Sequence, residues 1–263
     1  MSKPADSSVH EGEIVVMEGI LTELQVSPGK ENLFKQIDAY YSGKSLITGL
    51  GAVVGDLYGQ AAAAASVAMY EGEYTENFLC LIKDRVVCGT FGGASKLPVG
   101  KHVKLVARKH DDLLVAQGIL CESEGLVWLG HAWGYKAEMT ANLKIGLWCF
   151  LFQLACMAIA TGLMAGFGSP TFWTVMKLSI FGGAAICFGT AFWSNSTMTS
   201  LANPATEVLR LLGFCDPEKI NLNSYRYGIV HSHALIHTNE TQANHFNIHC
   251  YKKAIDDGII RMT

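Results

Sequence analysis

Residues 145–167 read IGLWCFLFQLACMAIATGLMAGF, 23 consecutive residues without a formal charge. At a helical rise of about 1.5 Å per residue, such a segment spans the roughly 30 Å hydrocarbon layer of a bilayer. A turn of Gly168, Ser169, Pro170 and Thr171 separates it from a second apolar stretch over 172–193, FWTVMKLSIFGGAAICFGTAFW, interrupted only by Lys177. Neither stretch has the polar face of a helix lying on a soluble core, so the pair predicts a transmembrane helical hairpin. The competing arrangement is a helix pair buried inside a large soluble domain.

The flanks agree with a membrane. Trp128, Trp133 and Tyr135 precede the first helix, Trp148 lies in its first turns, and Trp173 and Trp193 bracket the second. Amphipathic rings favour the headgroup level. Lys177 lies about 7.5 Å along the axis from Phe172, close enough to the turn for its amine to reach the interface. A sharper alternative makes Lys177, with Gln153 and Asp56, the polar lining of a path inside an oligomer, since intramembrane polar groups that cannot reach water usually serve function. Ala158, Gly162 and Gly166 form a small-residue row in the first helix, and Ala185 and Gly189 in the second, as tight helix packing requires. Lys136 and Lys144 precede the hairpin, Arg210 follows it and the turn carries no Lys or Arg, so both termini are expected in the cytoplasm.

A different apolar segment precedes these. Residues 46–70, LITGLGAVVGDLYGQAAAAASVAMY, place Gly51, Gly55, Gly59 and Ala63 at four-residue spacing, one helical stripe on which another backbone can approach closely. Asp56 and Gln60 near its middle make a stable lone span expensive. A Gly/Ala-rich connection or a surface helix on a soluble domain would fit the same string.

Composition bounds the rest. Of 263 residues, 50% are hydrophobic and 16% charged, with 20 Lys and Arg against 23 Asp and Glu. Disorder is excluded for most of such a chain, and no basic face suited to nucleic acid stands out, so no nucleic-acid partner is expected. The eight cysteines form no CxxC pair and no regular framework, which argues against a zinc knuckle or a disulfide scaffold. The first 13 residues, MSKPADSSVHEGE, are polar and acidic and form no signal-peptide core.

Short strands are expected around the Gly/Ala segment: 13–26, then 78–82 paired with 85–91 across the two-residue link Lys83 and Asp84, then 103–107, 113–121 and 126–131. Five or six such strands suggest a small antiparallel β-barrel or sandwich. The expected fold class is therefore an α+β membrane protein, in which this β-domain is followed by the transmembrane hairpin and a short α/β tail. Its divisions are a disordered 1–12, a β-rich 13–142 with the Gly/Ala insertion at 45–72, the hairpin at 143–194, and a tail at 195–263. In the tail, Asn203 and Pro204 read as the start of a short amphipathic helix that stops at Gly213. His231, His233, His237, His245 and His249 follow, with His231 and His233 expected on one strand face and His245 and His249 on one helix face. No acid is interleaved at ligand spacing, so neither a metal nor another cofactor is expected. There is no GxSxG, HExxH or P-loop string, and no catalytic residue is nominated.

Taken together, EGILTELQV, the Gly/Ala insertion, FLCLIKDRVVCGTF, LPVGKHVKLVARKHDDLLVAQGIL, the Trp-flanked apolar segment and NPATEVLRLLGFCDPEKINL resemble the small bacterial membrane proteins described as type VI secretion system effectors. The likeness covers roughly residues 13–222, and the Gly/Ala insertion and LLGFCDPEKINL are its most specific parts. It implies a protein encoded with a contractile injection apparatus, either delivered into a rival's envelope or kept in the producer's inner membrane. It transfers no functional residue. The expected partners are the lipid bilayer, further copies of the chain, and a secretion-apparatus or immunity protein.

Overall fold

The computed structural model describes residues 12–28, 75–110, 113–231 and 245–263. These fall into two compact units. One comprises the chain up to Ala132 with Glu207–Pro217 and Leu222–Thr263; the other comprises Trp133–Thr206 with Glu218–Asn221.

The first unit is a β-barrel. β1 (Ile14–Pro28), β2 (Glu76–Ile82), β3 (Arg85–Phe91), β4 (His102–His110) and β5 (Leu113–Cys121) close into a ring in the order β1-β2-β3-β5-β4, all pairs antiparallel except β3 with β5. This is the five-stranded Greek-key arrangement of OB-type barrels. β1 is long enough to serve two neighbours. Residues 14–20 pair with β4 and residues 21–28 with β2, and the register shifts between Thr22 and Gln25, where Glu23 takes φ 52°. Such a bulge bends a strand around a barrel corner. β2 and β3 are joined by Lys83 and Asp84, with φ 50° and 59°, the left-handed pair that a two-residue hairpin turn demands. The Gly/Ala segment falls between β1 and β2 in sequence; Gly51, Gly55, Asp56, Gly59 and Ala63 lie outside the described residues.

Alternating side chains fill the barrel. Leu21, Phe78, Ile82, Val87, Phe91, Leu105, Ile119 and Trp128 lie in one buried cluster, in which the rings of Phe78 and Phe91 stack at 5.4 Å. A second apolar layer lies on the outward side of β5 and of β6 (Leu126–Leu129). There Gly118 lies so close to Val208, Leu129 and Leu212 that a β-carbon would meet all three. A two-residue β7 (Ile248–His249) extends the sheet beyond β6. The C-terminal residues return to the 213–215 turn through Cys215 N–H to Arg261 O, 2.8 Å, and Thr263 N–H to Gly213 O, 2.9 Å.

The second unit is built from α1 (Tyr135–Ala165) and most of α2 (Pro170–Leu212). One expectation is corrected here. No separate amphipathic helix begins at Asn203; α2 runs through Pro204 for 43 residues. Proline removes one backbone donor, but the helix around it is held by other bonds. The Thr206 hydroxyl donates to Ala202 O at 2.7 Å and accepts the Tyr135 N–H at 3.0 Å. The last turns, 207–212, belong to the first unit and bury Val208, Leu209 and Leu212. The histidines are corrected too. His249 lies in β7, whereas His245 precedes that strand, so they share no helix face. His231 follows the single-turn α3 (Tyr227–Val230) rather than lying in a strand, and His233 and His237 lie outside the described residues. A last short helix, α4 (Tyr251–Asp256), follows β7.

Candidate functional site

The helical hairpin turns apolar side chains outward on every side. Only 6% of the most apolar 18-residue stretch of α1 and 17% of that of α2 is buried. Both helices are long and apolar enough to cross a membrane. Trp148, Phe152, Leu163, Met164, Phe181, Phe192 and Trp193 are each at least 70% exposed. Removing one large apolar side chain from water is worth about 1.5–3 kcal/mol, so a shell of this size supplies on the order of tens of kcal/mol for entry into hydrocarbon. A helix pair buried in a soluble core would show the opposite pattern.

The geometry of the exposed indoles gives the shell a thickness. Trp173 and Trp193 are separated by 20 residues of α2, about 30 Å. Trp148 lies 17 residues before Ala165, the end of α1, about 26 Å. From residue 145 to residue 206, Lys177 is the only formal charge.

The turn carries caps at both helix ends. Gly166 (φ 81°) stands just past the end of α1 and donates its N–H to Gly162 O at 3.0 Å. The Ser169 hydroxyl accepts the Phe172 N–H at 3.1 Å at the start of α2. Phe167, Phe172 and Trp173 cluster there, with ring centroids 5.8 and 5.5 Å apart.

The row that joins the two helices is Ser179, Gly183, Cys187 and Ala191 on α2, at four-residue spacing. Ser179, Gly183 and Ala191 are buried. Gly146 of α1 approaches Cys187 and Ala191 so closely that a β-carbon would lie 3.0 Å from the Ala191 methyl and 3.1 Å from Cys187 O. Seven residues on, the Gln153 amide fills the space that a Gly183 side chain would occupy. Phe150 meets Phe188 at 5.9 Å.

The residues singled out from sequence are distributed differently. Ala158 is half-buried, and Gly162 receives the ring of Phe167 from the turn. Ala185 and Gly189 face outward, with nothing within 4 Å of a β-carbon at Gly189. Of the polar candidates, Gln153 is half-buried against Gly183 and Cys187 between the helices, and Lys177 is exposed. Sequence reasoning passed over the row at 179, 183, 187 and 191, although the same spacing rule finds it.

At its other end the hairpin is tied by Gly134 N–H to Ile220 O at 2.9 Å and by the Lys136–Glu218 ion pair at 3.2 Å. Among the described residues no group of three His, Cys, Asp or Glu could hold a metal ion. Two barrel thiols are poor nucleophiles: burial pushes Cys80 and Cys88 up to about 12. No family model matches the chain, and no curated protein or solved structure matches it.

Proposed function

We propose that the hairpin crosses a bacterial inner membrane twice and that the chain acts there as a type VI secretion-associated effector, assembling as an oligomer that dissipates the ion gradient. The observation that carries the membrane part is the outward apolar shell, framed by indoles about 30 Å apart and broken by one lysine. Two helices cannot enclose a pore, so conduction requires several copies. The outward small residues Gly182, Ala185 and Gly189 of α2, together with the Gly51, Gly55 and Gly59 stripe, would supply the close approach between copies. The injection-apparatus context rests on the quoted strings alone.

A second reading is favoured by one observation. Gln153, Ser179 and Thr161, the polar side chains of the span that are buried or half-buried, pack within the hairpin rather than along an outward path. That arrangement suits an anchor. The chain would then be a resident inner-membrane immunity or adaptor protein whose cytoplasmic barrel binds another protein.

A voltage-sensitive dye separates the two, in cells expressing the chain in the cytoplasm or directed to the periplasm. Loss of potential from either side supports the effector, and Gly55→Leu should then restore it by blocking helix approach. Membrane localisation with full potential from both sides refutes the effector and leaves the anchor.

A further inference from the structure

The C-terminal segment closes on the barrel through a contact that keeps an imidazole from water. β7 pairs with β6 through two residue pairs, Trp128 with Ile248 and Val127 with His249, and Arg226 bridges His249 separately. His249 is 1% exposed, and its Nδ1 lies 3.1 Å from the Leu222 carbonyl oxygen. That geometry makes Nδ1–H the donor, since a carbonyl oxygen can only accept. The charged and titratable groups that act on the ring are Arg226 and, from the segment before α1, His131. Among the described residues no carboxylate acts on it. Next along its own segment stands Cys250, whose Sγ lies 3.8 Å from His231 Nδ1. Tyr227 stacks on His231 at 4.3 Å and meets His245 edge-on at 5.4 Å.

We propose that residues 245–256 form an acid-released latch: a proton on His249 would place a second cation beside Arg226 in a dry site, expelling β7 from β6 and leaving the β6 edge open. The latch is independent of the membrane reading. Its backbone ladder is short, two residue pairs where β2–β3 has seven, and side-chain bonding adds to its hold, with Asn247 accepting the Gly92 N–H and donating to Leu129 O and Gly130 O. Burial pushes the His249 ring down from 6.5 to about 3, and the Arg226 and His131 charges push the same way against the Leu222 hydrogen bond. The released ring takes a proton below its ordinary value, so closure is complete above pH 6.5 and weakens as the pH falls from there towards 3. Between pH 7 and pH 4.5 the open fraction should rise about a hundredfold.

Hydrogen exchange read by mass spectrometry on the full chain in detergent, at those two pH values and corrected for intrinsic rates, tests this. Peptides covering 245–256 should lose protection about a hundredfold at the lower pH, while β1 to β4 keep theirs. His249→Asn retains a donor towards Leu222 but takes no proton, and should stay closed at both. Equal protection of the wild-type segment at both pH values, or the same loss in His249→Asn, would overturn the latch. Should that variant not fold, the ring nitrogens of wild-type His249 can be titrated by NMR. A neutral ring down to the pH of release is expected, and a ring that titrates near its ordinary value in the closed protein would overturn the proposal.

Discussion

The barrel and the hairpin are both rich in large apolar side chains, and they dispose of them in opposite ways. Phe78, Phe91, Leu105 and Trp128 are at most 1% exposed, whereas Phe152, Phe181, Leu163 and Met164 are 72% to 90% exposed. Strand alternation gives the barrel an inside and an outside, so each strand can hide one face and wet the other. The span segments of α1 and α2 have no such division, and their shared interface takes mainly small side chains at Gly146, Gly183 and Ala191. Large residues are left for the solvent. The comparison teaches that one chain disposes of its large apolar side chains in two opposite ways, with the change falling near Lys144.

The sharpest way to break the comparison is to strike each region with the change it should tolerate least. Trp128→Ala should cost the barrel about 3–5 kcal/mol, read as a lowered denaturant midpoint for the β-sheet signal, while the chain still fractionates with membranes. Loss of membrane association along with the barrel would show that the two regions are not separately solvated. Conversely, Ile159→Arg places a charge on the outward face in the middle of α1, at about 2.5–3.5 kcal/mol of insertion free energy. Alkaline extraction should then release the chain, with the barrel's denaturant midpoint unmoved. The control Val16→Arg, on the exposed outer face of β1, should change stability by no more than about 0.5 kcal/mol.

Gly183→Leu sharpens the account of what the small row does. The new side chain would displace Gln153 and force the helices apart, for about 1–3 kcal/mol, seen as a lower melting temperature of the helical signal in detergent. The same change at Gly189, which faces open space in the single chain, should leave the melting temperature of the monomeric hairpin in place. The smallest effect is expected at Lys177. If its amine reaches the interface, Lys177→Met should leave insertion unchanged to within about 1 kcal/mol. A large gain in insertion would place the charge in hydrocarbon instead.

Much of this division is legible in sequence because it depends on local period. The two apolar stretches and the four-residue turn mark the hairpin, and Lys83 and Asp84 mark the β2–β3 turn. Four features were not legible, each for a physical reason. Asn203 and Pro204 have the local chemistry of a helix start, yet burial of Ala202, Ala205, Val208 and Leu209 favours continuing α2 through them. Four-residue rows of small residues occur on more than one face of α2, and only the position of Gly146 and Gln153 decides which one is used. The spacing of His245 and His249 fits a helix turn as well as it fits a bend before a two-residue strand. The closure of β3 onto β5 is a parallel pair far apart in sequence, which no local pattern announces.

The central claim is that lipid solvates the whole outer surface of the hairpin and water that of the barrel. Paramagnetic relaxation by dissolved oxygen, set against a water-soluble gadolinium chelate, measures this on the native chain in lipid nanodiscs. Amides over 145–165 and 173–193 should respond to oxygen and not to gadolinium, with the weakest oxygen response at Gly146, Gln153 and Gly183, and barrel amides should respond the other way. A gadolinium response running the length of one outward face of α1 or α2 would contradict the account.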